Sequence, residues 1–121
     1  MSYDNPTSVT YKLENVTIST AAVLMHLVGP TKKQGRVVDI GFVTTTATTG
    51  AATELRVGTI ADPDAYATIS IPVQAINTVT TDATILTTGH NLIPVSSYFQ
   101  IASDGGCTAG AGTVIVTVDW F

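Results

Sequence analysis

The sequence predicts a single all-β domain, an antiparallel β-sandwich of jelly-roll type with about seven or eight strands. Three observations carry this. Thr, Val and Ile supply roughly 46 of the 121 residues, and β-branched side chains suit a pleated, half-buried surface. Short runs alternating apolar and polar residues recur along the chain with Gly, Pro, Asn and Asp between them, the rhythm of strands and turns. Leu, Glu, Lys and Arg, the main helix formers, are scarce. The length fits one domain with room for a real core, and no internal repeat is present.

In order, residues 1–7 are polar, with Asn5-Pro6 opposing regular structure, and read as a flexible arm preceding a domain of residues 8–121. Val9–Leu13 and Val16–Ile18 alternate in period two and form a strand broken at Glu14-Asn15. Residues 20–27 are the exception to the β pattern. Thr20 can cap a helix over the apolar run Ala21–Leu27, with Gly29-Pro30 as its stop, so one short helix is predicted there.

Arg36–Thr44 is the longest strand candidate, with Gly41 marking a bulge or a close backbone approach. Thr45–Ala52 is too small-sided to fill a core and reads as a loop. Glu54–Ile60 is a strand, and Ala61–Tyr66 has turn chemistry around Asp62-Pro63-Asp64. Ala67–Ile71 alternates again. The pattern then weakens up to Thr88, with a strand expected near Thr84–Leu86. Asn91–Pro94 is an apolar loop, Tyr98–Ala102 a strand, Gly106–Gly112 a Gly-rich turn, and Thr113–Phe121 the last strand. Trp120 is too large and apolar to be left in water and is expected to be covered by the core or by a partner.

Charge excludes some functions. Charged residues make up only 12% and the net charge is -4, and five Lys and Arg give no footprint for a phosphate backbone. Nucleic acid is not an expected partner. No apolar run approaches the ~20 residues of a membrane helix, and the N-terminal residues lack the pattern of a signal peptide, so cytoplasmic synthesis and no membrane partner are expected.

Catalysis is not expected either. His26 sits in the apolar stretch as a packing residue and His90 in an exposed turn, and with Cys107 they do not make up a zinc set. Cys107, flanked by Gly and Thr, reads as a buried or idle thiol and cannot form an intrachain disulfide. Asp62, Asp64, Asp82 and Asp104 could offer oxygens to calcium, but for Asp62-Pro63-Asp64 a turn role is the simpler reading. The Asn15-Val16-Thr17 sequon matters only in a secreted eukaryotic chain, and the glycines near residues 105–112 lead into a strand, not a phosphate-binding helix. An enzyme of cupin type would need a His and carboxylate cluster that is absent. No cofactor and no metal are expected.

Four segments together give a family likeness: Val16–Leu24, Gly35–Ile40, Val57–Tyr66 and Gly112–Val118. On these the chain resembles small bacteriophage virion proteins of jelly-roll type, which decorate or cement heads or form head and tail appendages. The resemblance implies a structural protein of the virion, a homotrimer bound to a major capsid protein. On that reading the contact residues are Tyr3, Asp4 and Asn5 of the arm, Asp62, Asp64 and Tyr66 of the turn, and Trp120 and Phe121 at the end. A second reading is a receptor-binding or carbohydrate-binding sandwich, with Tyr66, Tyr98 and Trp120 as candidate aromatics.

Overall fold

The computed structural model describes residues 7–82 and 91–121. Eight strands form two four-stranded antiparallel sheets. They are β1 (Thr7–Thr17), β2 (Ala22–Val28), β3 (Gly35–Thr49), β4 (Thr53–Gly58), β5 (Ala67–Ile71), β6 (Val79–Thr81), β7 (Tyr98–Ser103) and β8 (Ala109–Trp120). One sheet runs β1-β8-β3-β6 and the other β2-β7-β4-β5. The pairs β1:β8, β2:β7, β3:β6 and β4:β5 are nested like the rungs of one long hairpin. Rolling that hairpin into two layers gives the jelly-roll order.

Alternation builds the core. On β8 the residues Val114, Val116, Val118 and Trp120 point inward and are fully buried. They meet Phe42, Ile40, Val37 and Gly35 across β3, and Leu13, Tyr11, Val9 and Thr7 across β1. The facing layer supplies Leu55 and Val57 of β4, Ile69 and Ile71 of β5, and Phe99 and Ile101 of β7, all buried. Three rings tie the layers together. Phe99 packs edge-on to Tyr11 at 6.0 Å between centroids and tilted against Trp120 at 5.8 Å, geometries that suit aromatic quadrupoles.

Several expectations change. Residues 20–27 are not helical, because Ala22–Val28 is a strand paired with Tyr98–Ser103. A helix of two turns is marginal in water and needs tertiary packing to persist, whereas this segment gains a ladder against β7 interrupted only by one register shift between Val23 and Met25. Residues 45–49 continue β3 instead of looping, and the chain turns only at Gly50, whose φ is +87°. Gly110 and Gly112 lie inside β8, not in a turn. The glycine at 112 is needed there, since a Cβ would overlap Val43 O and the Phe42 ring. Gly41 shows no bulge and no close approach: the nearest atom to a Cβ there would be 3.5 Å away. The break in the first strand does occur, as a register shift between Leu13 and Val16 with Asn15 at φ 51°. The strand expected near Thr84–Leu86 lies outside the described residues, and β6 is found at Val79–Thr81.

Candidate assembly surface

The candidate contact residues divide sharply by placement. Tyr3, Asp4 and Asn5 lie outside the described residues, as does His90. Trp120 is fully buried in the chain's own core, and Tyr66 is buried too, so neither ring is offered at the surface. Phe121 is half-buried, with its backbone locked to Gln34 by two hydrogen bonds of 2.9 Å. Asp62 and Asp64 are exposed on the β4–β5 turn. That turn is closed by Thr59 N–H to Asp62 O at 2.9 Å and by Asp62 N–H to Thr59 Oγ1 at 2.9 Å. A hydrogen bond that protonated Asp62 donates to the Asp64 carboxylate, with slight desolvation and the nearby Asp64 charge, raises the pKa of Asp62. Among the described residues no three His, Cys, Asp or Glu side chains gather as a metal set. Cys107 is buried.

Surface signals missed by sequence reasoning are apolar. Val23 and Val28 on β2, Ile60, Val73, Ile76, Val79, Val95 and Tyr98 are all exposed. The weak pattern after Pro72 was the legible hint for three of them, because apolar residues without alternation have no inward face to share.

The four sheet edges differ in how they are guarded. Among the described residues β1, β2, β5 and β6 each pair with one neighbour only. Edge strands need devices against unwanted pairing: charge, bulges or short length. β1 carries an exposed Lys12–Glu14 ion pair at 3.1 Å and the bulge at Asn15. β6 is three residues long and β5 five. By contrast, β2 reads Ala-Val-Leu-Met-His-Leu-Val, without a single Asp, Glu, Lys or Arg. Its inward residues Leu24 and Leu27 are only partly buried. Beside it, Val9, Tyr11 and Leu13 of β1 are also half-covered, so the sandwich is open along its β1–β2 flank.

No family model matches the sequence, and no curated protein matches it. Among solved structures, the fold is similar to that of a protein from Bacillus endospore appendages, described as a novel family of disulfide-linked pili. The match covers 99% of this chain and 93% of that chain at 15% identity, with a TM-score of 0.52. At that identity the likeness is one of fold. It agrees with the predicted antiparallel sandwich and overturns the virion reading, since the matched protein is a bacterial appendage protein and not a phage protein. The expected decoration or cement role falls with it, as do the trimer on a major capsid protein and the virion location.

Proposed function

We propose that this chain is a non-catalytic structural subunit of a bacterial surface appendage, built by association of copies of itself. The observation that carries the reading is the unguarded edge β2, with Val23 and Val28 exposed on an open flank of the sandwich. An edge strand of this kind presents a row of unpaired N–H and C=O groups, a template for strand addition from another chain. For a filament the contact must be head-to-tail, β2 of one copy meeting a different surface of the next, since heterologous contacts that do not close into rings give filaments. Likeness over nearly the whole chain to a pilus protein supports the same conclusion.

Within these 121 residues the sole cysteine is Cys107, buried at 4% exposure. Contacts made by this domain are therefore non-covalent, unlike the disulfide links of the matched pili. The exposed Asp62–Asp64 turn and the residues before β1 are the polar contact surfaces in this proposal, flanking a sandwich domain that begins with β1 at Thr7.

Light scattering and negative-stain microscopy test the reading. The wild-type chain is expected to form polymers at high concentration. The double variant Val23→Lys/Val28→Lys is expected to remain monomeric with an unchanged circular dichroism spectrum. A wild-type chain that stays monomeric throughout would sink the proposal.

A further inference from the structure

The outer face of the β2-β7-β4-β5 sheet holds a cleft of about 270 Å³ lined by His26, Thr59, Ile60, Ala61, Tyr98 and Gln100. Its construction follows from one glycine. In register, Gln100 of β7 lies between His26 of β2 and Gly58 of β4. A Cβ at Gly58 would overlap the backbone of Asp62 and Pro63, so the missing side chain lets the β4–β5 turn fold down onto the sheet. That places Thr59, Ile60 and Ala61 across from His26 and Tyr98.

Gln100 is the anomaly at this place. It points away from the core, yet it is only 5% exposed, and its Oε1 is buried without a hydrogen-bond partner. An orphaned buried acceptor costs about 1–3 kcal/mol, and most buried polar atoms in native proteins are satisfied. Around it stand two large side chains held in solvent, Tyr98 at 75% and Ile60 at 84% exposure. A buried, unpaired amide oxygen on the outer sheet face, under an exposed ring and an exposed aliphatic chain, is the composition of a ligand site: mostly apolar walls with a few placed polar groups.

We propose that this cleft binds one neutral pyranose ring, such as the terminal residue of a glycan. Three features select that chemistry. No Asp, Glu, Lys or Arg lines the cleft, so the ligand needs no charge. Its volume falls just below the roughly 300–1,000 Å³ of drug-sized pockets, which suits a single ring. A pyranose also has an apolar C–H face for Tyr98 and Ile60 and hydroxyl donors for Gln100 Oε1, with Thr59 Oγ1 and His26 at the rim. Strand addition cannot satisfy Gln100, because β7 is an interior strand between β2 and β4. The occupant must descend onto the sheet face. The site is thus independent of assembly through the β2 edge.

Saturation-transfer difference NMR with methyl glycosides of glucose, galactose, mannose and N-acetylglucosamine tests this on the full chain, and it works for monomer and polymer alike. At least one glycoside is expected to bind with a millimolar Kd. Tyr98→Ala and Gln100→Leu are each expected to weaken it by about tenfold, the effect of losing one contact of roughly 1.4 kcal/mol. Gln100→Leu is expected to keep or raise the melting temperature, since it removes an orphaned amide oxygen. The proposal is overturned if no glycoside transfers saturation, or if Gln100→Leu leaves the affinity unchanged. It is equally overturned if Tyr98→Ala dissolves polymers while sugars remain silent, which would make the cleft a socket for a second copy.

Discussion

The indole of Trp120 is seated against Gly35, its register partner on β3, so closely that a Cβ on Gly35 would stand 2.6 Å from Cζ3 of the ring. Val118 Cγ1 would lie 3.0 Å away on the same side. Overpacking a filled core costs about 1–3 kcal/mol, so Gly35→Ala is expected to lower the unfolding free energy by about that amount, read as a lower urea midpoint at unchanged slope. Gly41→Ala, on the same strand with nothing closer than 3.5 Å, is expected to be neutral or to gain about 0.5–1 kcal/mol through reduced backbone entropy. Equal effects at the two glycines would show that the Trp120 seat is not what requires glycine at 35.

Thr48 holds the β5–β6 connection to β3. It is 1% exposed, and its Oγ1 donates to Pro72 O at 2.7 Å while accepting from Gln74 N–H at 2.7 Å. The Gln74 side chain then donates to Thr44 Oγ1 at 2.7 Å and to Thr80 Oγ1 at 3.0 Å. Thr48→Val keeps the shape and strands both backbone groups, at a cost of about 1–3 kcal/mol. Amide exchange is expected to quicken at Gln74 and along β6, and to stay slow on β8. Uniform exchange across both strands would contradict a local pin.

How far the residues disclose this molecule depends on which face each strand shows. β4, β5 and β8 alternate cleanly because one side is core and the other is solvent, so they were legible within a few residues. β2 was not. Its run Ala21–Leu27 lacks period two because it is an edge strand with apolar residues on its exposed face as well as its half-covered one, and with a register shift between Val23 and Met25. The Thr45–Thr49 extension was hidden for another reason: Thr48 is buried for its hydroxyl, not for its bulk. The cleft was illegible since it depends on the turn at Asp62 and Pro63 meeting Gly58, a contact between segments whose closeness only the folded backbone creates. Tyr98 was named among the candidate aromatics, whereas nothing in the local pattern singled out Gln100.

Cys107 and Thr53 form a buried link between the segment before β8 and the start of β4. The Cys107 N–H donates to Thr53 Oγ1 at 2.7 Å, and Thr53 is fully buried. Thr53→Val removes the acceptor and leaves the amide unpaired, which is expected to cost about 1–3 kcal/mol. Thr53→Ser is expected to restore most of it. The thiol reports the same event, because a buried sulfur reacts only when the site opens. Labelling of Cys107 by a thiol reagent should be slow in the wild-type chain, faster in Thr53→Val and slow again in Thr53→Ser. Rapid labelling of the native chain would place the sulfur at the surface.

Asp62 and Asp64 make the β4–β5 turn sensitive to acid in a direction opposite to most carboxylates. The hydrogen bond that protonated Asp62 donates to the Asp64 carboxylate is the largest cause holding the Asp62 pKa above the ordinary value of 3.8, followed by slight desolvation and the neighbouring charge. A carboxyl whose folded pKa is raised binds its proton more tightly in the folded state. Its contribution to stability is therefore fully present below pH 3.8 and is lost as pH rises through the raised pKa. Asp64→Asn removes the paired charge, so the Asp62 side-chain resonance is expected to titrate at lower pH than in the wild-type chain. The variant turn should also lose its extra order in acid, seen as Thr59 and Ala65 amides whose exchange no longer slows relative to the rest of the sheet below the Asp62 midpoint. An Asp62 midpoint that does not move in Asp64→Asn would show that the two carboxyls do not share a proton.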